Sequence, residues 1–262
     1  MTGARDTTPH WQELLKHPDG GDHFVQLYQD KAFLADAVAE YIGAGLREGE
    51  AAVLIATPQH VQIFRRALER RGLHPEAALR RGQLRLLDAR DTLSRFMKDG
   101  APDWQPFHDL CGGVIAEMRL QYPRVRAYGE MVDLLWQDGL RDEAIRLEEF
   151  WHQLGRLQTF SLLCAYRIDN LDSGVYDRAL DCVCRSHTHL IPAPDYARFN
   201  RAVNEASKQV LDQPLAQMLL FLSANHRPPT QMPLGQATLF WLKKNMPRTA
   251  DKVLLQVRAQ LA

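Results

Sequence analysis

The stretch Ala51-Ala52-Val53-Leu54-Ile55-Ala56, followed by Thr57-Pro58-Gln59-His60, decides the fold. Six apolar residues without alternation, bounded by turn residues, read as a strand buried on both faces. That is the habit of a parallel sheet. Thr57-Pro58 then opens a helix, since proline is tolerated in a first turn whose N–H groups have no helical partner. Val61, Phe64, Ala67 and Leu68 share one face of it.

Working outward, the same alternation recurs. His23-Phe24-Val25-Gln26-Leu27-Tyr28 predicts a strand after the breaker Asp19-Gly20-Gly21-Asp22. Asp30 is placed to cap a helix carrying Phe33, Leu34, Ala37, Val38, Tyr41, Ile42 and Leu46 at helical spacing, ended by Gly49. Further strands are expected over 83–88, 124–129 and 160–166. Helices are expected over 92–97 and 107–120 and along Leu140, Ala144, Leu147, Trp151 and Leu154. Alternating strands and helices imply an α/β protein, doubly wound, with a mainly parallel sheet and helices on both faces.

After Pro192 the pattern changes. Tyr196, Phe199, Val203, Ala206 and Val210 alternate by three and four, and further apolar stripes follow at Leu215–Leu222, Leu239–Leu242 and Val253–Leu261. The expected organisation is a polar N-terminal tail (1–21), an α/β domain (22–192) and an all-helical C-terminal appendage (193–262). The appendage either mediates self-association, as in a homodimer, or covers the sheet in cis.

Composition excludes several classes. The 262 residues carry 32 basic and 32 acidic side chains, so the electrostatic footprint of a nucleic-acid binder is missing, apart from a basic run between Arg65 and Lys98 that reads as a solvated helix face. Four cysteines, Cys111, Cys164, Cys182 and Cys184, are too few for a disulfide scaffold. No run is apolar enough for a signal peptide or a bilayer span, so no membrane role and a cytoplasmic location are expected.

Catalytic patterns are also missing. There is no His-Glu-x-x-His, no Gly-x-Ser-x-Gly and no Gly-x-x-x-x-Gly-Lys-Ser/Thr. Cradling phosphate needs glycines that expose successive N–H groups and a lysine that reaches the outer phosphates. The turn Thr57-Pro58-Gln59-His60 has neither, and its proline removes a donor.

In open α/β sheets, ligands bind beyond the carboxyl ends of the strands. The residues expected there are Tyr28, Asp30, Thr57, His60, Asp88, Glu130 and Arg167. Taken singly, Asp30, Thr57 and Asp88 also suit plain N-caps. Glu130, at a strand end in an apolar context, is the stronger candidate for a binding role. Cys182, Cys184, His187 and His189 offer four soft ligands within eight residues, but not at the spacing of a known zinc finger, and buried thiols are common core residues. No metal and no cofactor are therefore expected.

The ordered series of segments resembles the MEDS family, the methanogen/methylotroph sensory domain. The matching pieces are His23–Tyr28 with Asp30, Gly45-Leu46-Arg47-Glu48-Gly49-Glu50, Ala56–His60, Leu87-Asp88-Ala89, Arg126-Ala127-Tyr128-Gly129-Glu130-Met131-Val132, Leu147-Glu148-Glu149-Phe150-Trp151, Leu162–Tyr166 and Cys184–His189. The resemblance implies a RecA/KaiC-like P-loop fold that has lost its phosphate loop. It also implies sensing of small hydrophobic or hydrocarbon-like molecules, often beside a histidine kinase or a transcription regulator. The expected function is a non-catalytic signal-sensing module. The alternatives are an interaction adaptor working through the appendage, or an enzyme using Glu130, Asp88 and His60 as acid and base.

Overall fold

The computed structural model describes residues 11–176, 183–191, 196–225 and 233–261. Its main sheet has six strands: β1 (His23–Tyr28), β2 (Ala51–Ala56), β3 (Leu84–Asp88), β6 (Val125–Gly129), β7 (Ser161–Arg167) and β8 (His189–Ile191). They run in the order β3-β2-β6-β7-β1-β8. The architecture is α/β with a mainly parallel sheet, as the alternation predicts. The chain divides into two compact units.

The first unit comprises the chain up to Asp22, Lys31–Met131 and Gln153–Leu163. At its centre β2 is wholly buried, flanked in parallel by β3 and β6, with Ala52 opposite Leu84 and Ile55 opposite Gly129. Burial on both faces is why this strand carries no polar alternation. Helix α2 (Lys31–Arg47) buries most of its surface, and α3 (Pro58–Arg70) buries His60, Phe64, Ala67 and Leu68.

A fully buried guanidinium anchors this unit. Arg126 on β6 donates to Glu50 Oε2 (2.5 Å) and to the carbonyls of Leu15 (3.0 Å), Lys16 (2.9 Å) and Tyr41 (2.8 Å). Two of these acceptors sit at the end of α1 (Trp11–Lys16), a short helix inside the stretch read as polar tail, where Leu15 is fully buried. Gly45 on α2 makes room for the arginine: a Cβ there would lie 2.5 Å from Arg126 Nε.

One expected helix is rearranged. Helix α5 (Ala89–Ser94) stops short of the expected end, after which β4 (Met97–Lys98) and β5 (Ala101–Pro102) form an antiparallel hairpin. Its turn is Asp99-Gly100, both at positive φ (53° and 84°). Asp-Gly favours that tight turn, so local turn chemistry overrides the helical periodicity. Residues 107–119 are helical as expected, with a π-helical segment (His108–Gly112) running into α7 (Gly113–Arg119).

The second unit comprises His23–Asp30, Val132–His152 and Cys164 onward. Here β1 pairs in parallel with β8, a short strand that periodicity does not reveal. Four C-terminal helices, α10 (Tyr196–Val210), α11 (Gln213–Asn225), α12 (Leu234–Asn245) and α13 (Pro247–Leu261), share a core of Val203, Ala206, Leu239, Leu242, Val253 and Val257. They pack on the loop after β7: Lys243 Nζ donates to Ser173 Oγ (2.6 Å) and Arg258 to the Leu171 carbonyl (2.6 Å). Among the described residues, no helix is long and apolar enough to cross a membrane.

Candidate functional site

At the carboxyl ends of β2 and β6, Glu130 meets two of its expected companions. The carboxylate is only 2% exposed. Its Oε1 accepts the Thr57 backbone N–H (2.5 Å), and its Oε2 lies 2.6 Å from His60 Nδ1 and accepts the Tyr128 hydroxyl (3.1 Å). Strand pairing of Ile55 with Gly129 brings the two ends together, and the Glu130 N–H closes onto the Ile55 carbonyl. Thr57 stands at the N-cap of α3 but makes no side-chain cap bond. Glu130 supplies that negative group from the neighbouring strand, next to the positive end of the helix dipole. Asp88 does not join this cluster. It is exposed, and its carboxylate caps α5 (Ala89–Ser94) by accepting the Arg90 and Asp91 N–H groups.

In the second unit, Tyr28 and Arg167 converge on a residue that the sequence reading did not single out. Asp133, in the first turn of α8 (Met131–Gln137), accepts the Tyr28 hydroxyl (3.1 Å) and the Arg167 backbone N–H (2.9 Å). The Arg167 guanidinium donates to Gln137 Oε1 (3.0 Å), and Gln137 Nε2 returns a bond to Asp133 (3.0 Å). Asp30 is exposed just past the end of β1.

A third constellation is fully buried. His23 opens β1, Cys164 lies on β7, Glu148 on α9 (Arg141–Leu157), and His187 precedes β8. Their ligand atoms all lie within 4.8 Å of one another. His23 Nε2 is 3.3 Å from Cys164 Sγ and 3.5 Å from Glu148 Oε2, and His187 Nε2 is 3.5 Å from Glu148 Oε1. Tyr166 donates to Glu148 Oε1 (2.6 Å), and His187 Nδ1 donates to the Val183 carbonyl (2.6 Å). Burial pushes the Glu148 carboxyl and the Cys164 thiol up, and burial with the neighbouring His187 ring pushes His23 well below its ordinary range.

Of the Cys/His run weighed from sequence, only His187 enters this constellation. Cys184 is buried outside it, His189 stacks on Phe24 at 5.0 Å, and Cys182 lies outside the described residues. His23, Glu148 and Cys164 carried no signal as a set, because the first and third stand 141 positions apart.

The family profile described as MEDS, MEthanogen/methylotroph, DcmR Sensory domain, matches residues 22–188, well over half of the chain. The chain belongs to the MEDS family. No curated protein matches it. The matched MEDS segment carries the Glu130 and Asp133 clusters and the whole buried His23–Glu148–Cys164–His187 set, whereas α10 to α13 lie beyond it.

Proposed function

We propose that this MEDS domain is a non-catalytic signal-sensing module on a RecA/KaiC-like core whose phosphate site has been closed. One observation carries the reading: the Glu130 carboxylate occupies the amino end of α3. A helix N-terminus after a parallel strand is a natural anion site. Here an internal anion already takes the Thr57 N–H at that end, and the turn supplies neither glycine nor lysine. A nucleotide phosphate arriving there would meet a negative charge at close range.

The ligand proposed in its stead is a small hydrocarbon-like molecule bound beyond the strand ends. Cys111, Cys164 and Cys184 are free thiols, which suits the reducing cytoplasm. Calorimetry with Mg-ATP, beside thermal-shift titrations with one-carbon to four-carbon alcohols and chlorinated alkanes including dichloromethane, tests both halves. The expected outcome is no heat with nucleotide and a saturable stabilisation by at least one small organic probe. Micromolar ATP binding overturns the closed phosphate site. A flat response to every organic probe overturns the ligand class.

A second reading rests on α11. Leu215, Met218 and Phe221, three residues apart, are 47%, 54% and 68% exposed. Such a stripe suits docking onto a second copy, a histidine kinase or a transcription regulator. Sedimentation velocity of the wild type and Phe221→Glu checks the first of these: an associating species that becomes monomeric in the variant supports self-docking, and a monomer in both removes self-docking.

A further inference from the structure

We propose that His23, Glu148, Cys164 and His187 bind one divalent transition-metal ion, zinc by donor chemistry, in a closed four-ligand site. None of these four residues belongs to the strand-end set proposed for sensing.

Geometry is the first support. Zinc bonds of about 2.0–2.3 Å to nitrogen, oxygen and sulfur place tetrahedral ligand atoms roughly 3.3–3.8 Å apart. The separations here are 3.3 Å for His23 Nε2 to Cys164 Sγ, 3.5 Å for His23 Nε2 to Glu148 Oε2, 3.5 Å for His187 Nε2 to Glu148 Oε1, and 3.8 Å for Cys164 Sγ to Glu148 Oε2. These distances involve five atoms, since Glu148 meets His187 through Oε1 and the other two residues through Oε2, and one ligand atom from each of the four residues lies within 4.8 Å of every other, compact enough to close on one ion.

Orientation is the second support. His187 gives its Nδ1 proton to the Val183 carbonyl, which leaves a lone pair on Nε2. That nitrogen is buried, makes no hydrogen bond, and faces a carboxylate oxygen, itself an acceptor. Two acceptors turned toward each other away from water are costly unless a proton or a cation lies between them. The His23 ring is steadied in a similar way by a hydrogen bond to the Ser186 backbone, and Tyr166 steadies the carboxylate. Metal-bound histidines and carboxylates are commonly oriented by such outer bonds.

Charge is the third support. A thiolate and a carboxylate together carry two negative charges, which a divalent ion neutralises, so the filled site is neutral within an apolar interior. The mix of imidazole, thiolate and carboxylate favours borderline ions such as zinc and cobalt over magnesium or calcium, which prefer oxygen alone. Four protein ligands leave no open position, so the ion would tie β1, β7 and α9 to the segment before β8 and would not activate water.

The test is a cobalt titration of the full-length chain after stripping with a chelator, near neutral pH. The expected result is one equivalent bound, with tetrahedral visible bands and a thiolate-to-cobalt charge-transfer band, both abolished by added zinc. Cys164→Ser should lose the charge-transfer band, and Cys111→Ser should keep it. Tyr166→Phe, which alters only a positioning residue, should keep the band with about tenfold weaker affinity. Native mass spectrometry should count one ion per chain. The wild-type titration decides the matter even if Cys164→Ser fails to fold: no charge-transfer band at millimolar cobalt overturns the proposal. So does a band that survives in a folded Cys164→Ser protein.

Discussion

Glu130, just past the end of β6, holds His60 of α3: Oε2 lies 2.6 Å from Nδ1, while its other oxygen takes the Thr57 N–H. One side chain thus fastens the end of β6 to the first turn of α3. Removing it strands a buried imidazole and a helix-start N–H together. Glu130→Ala should therefore cost about 3 kcal/mol of unfolding free energy, read from urea denaturation. Glu130→Gln can still accept the Thr57 N–H and should lose less. A loss below about 0.5 kcal/mol in Glu130→Ala, the range of ordinary surface substitutions, would sink the clasp.

Gly45 sits inside a helix, where alanine would ordinarily add up to about 1 kcal/mol of stability. The opposite is expected here. A Cβ would fall 2.5 Å from Arg126 Nε and 2.7 Å from its Cδ. The guanidinium cannot swing away without giving up its bonds to Glu50 and three carbonyls. Gly45→Ala should lower stability by about 1–3 kcal/mol, as overpacking does, visible as a fall in urea midpoint. An unchanged or higher midpoint would mean the arginine is free to move.

Cys111 is buried in the first unit, and burial pushes its thiol up to about 12. Since the thiolate is the reactive form, iodoacetamide at mildly alkaline pH should leave Cys111 unmodified in the native protein and label it fully in urea. Site-resolved mass spectrometry reads the difference. Rapid native labelling would show that this interior opens to solvent.

Much of the fold was legible because burial writes itself into composition. Ala51–Ala56 has no polar residue because both its faces are covered, and the C-terminal stripes at Val203, Ala206, Val253 and Val257 mark helices for the same reason. What failed to show were features set by few residues or by distant ones. β8 is three residues long, too short for any period. The Asp99-Gly100 turn was visible as a dipeptide, but its short flanks read as helix. Glu130 could be placed at a strand end, yet its pairing with His60 depends on β6 lying beside β2, which local sequence does not encode. The same holds for Asp133 and for the buried histidines.

Ser173, Lys243 and Asp251 link the loop after β7 to α12 and α13. Asp251 accepts the Ser173 hydroxyl (2.5 Å) and a Lys243 bond (3.1 Å), which together hold its carboxyl below the ordinary value of 3.8. A lowered carboxyl stabilises the fold above its unfolded value, and that contribution fades as pH falls through the folded one. The Asp251 carboxylate is more than half exposed, so solvent screens it, and Asp251→Asn should cost less than about 1 kcal/mol at neutral pH. Acid titration of both proteins should show the two stability curves converging below the ordinary carboxyl range. A constant gap at all pH values would assign the loss to packing instead of charge.

The parallel pairing of β1 with β8 has a consequence for how the chain is made. His23 exchanges backbone and hydroxyl hydrogen bonds with Thr188, 165 positions later. At ribosomal speeds of about 5–20 residues per second, β1 waits roughly ten to thirty seconds for that neighbour to emerge. Throughout that interval the nascent strand Phe24-Val25-Gln26-Leu27 has an unpaired edge, the kind of surface that holdase chaperones shield and that draws sister chains on a crowded polysome into aggregates. Slower decoding late in the message lengthens the exposure, so synonymous codon choice ahead of residue 188 bears on the yield of folded protein.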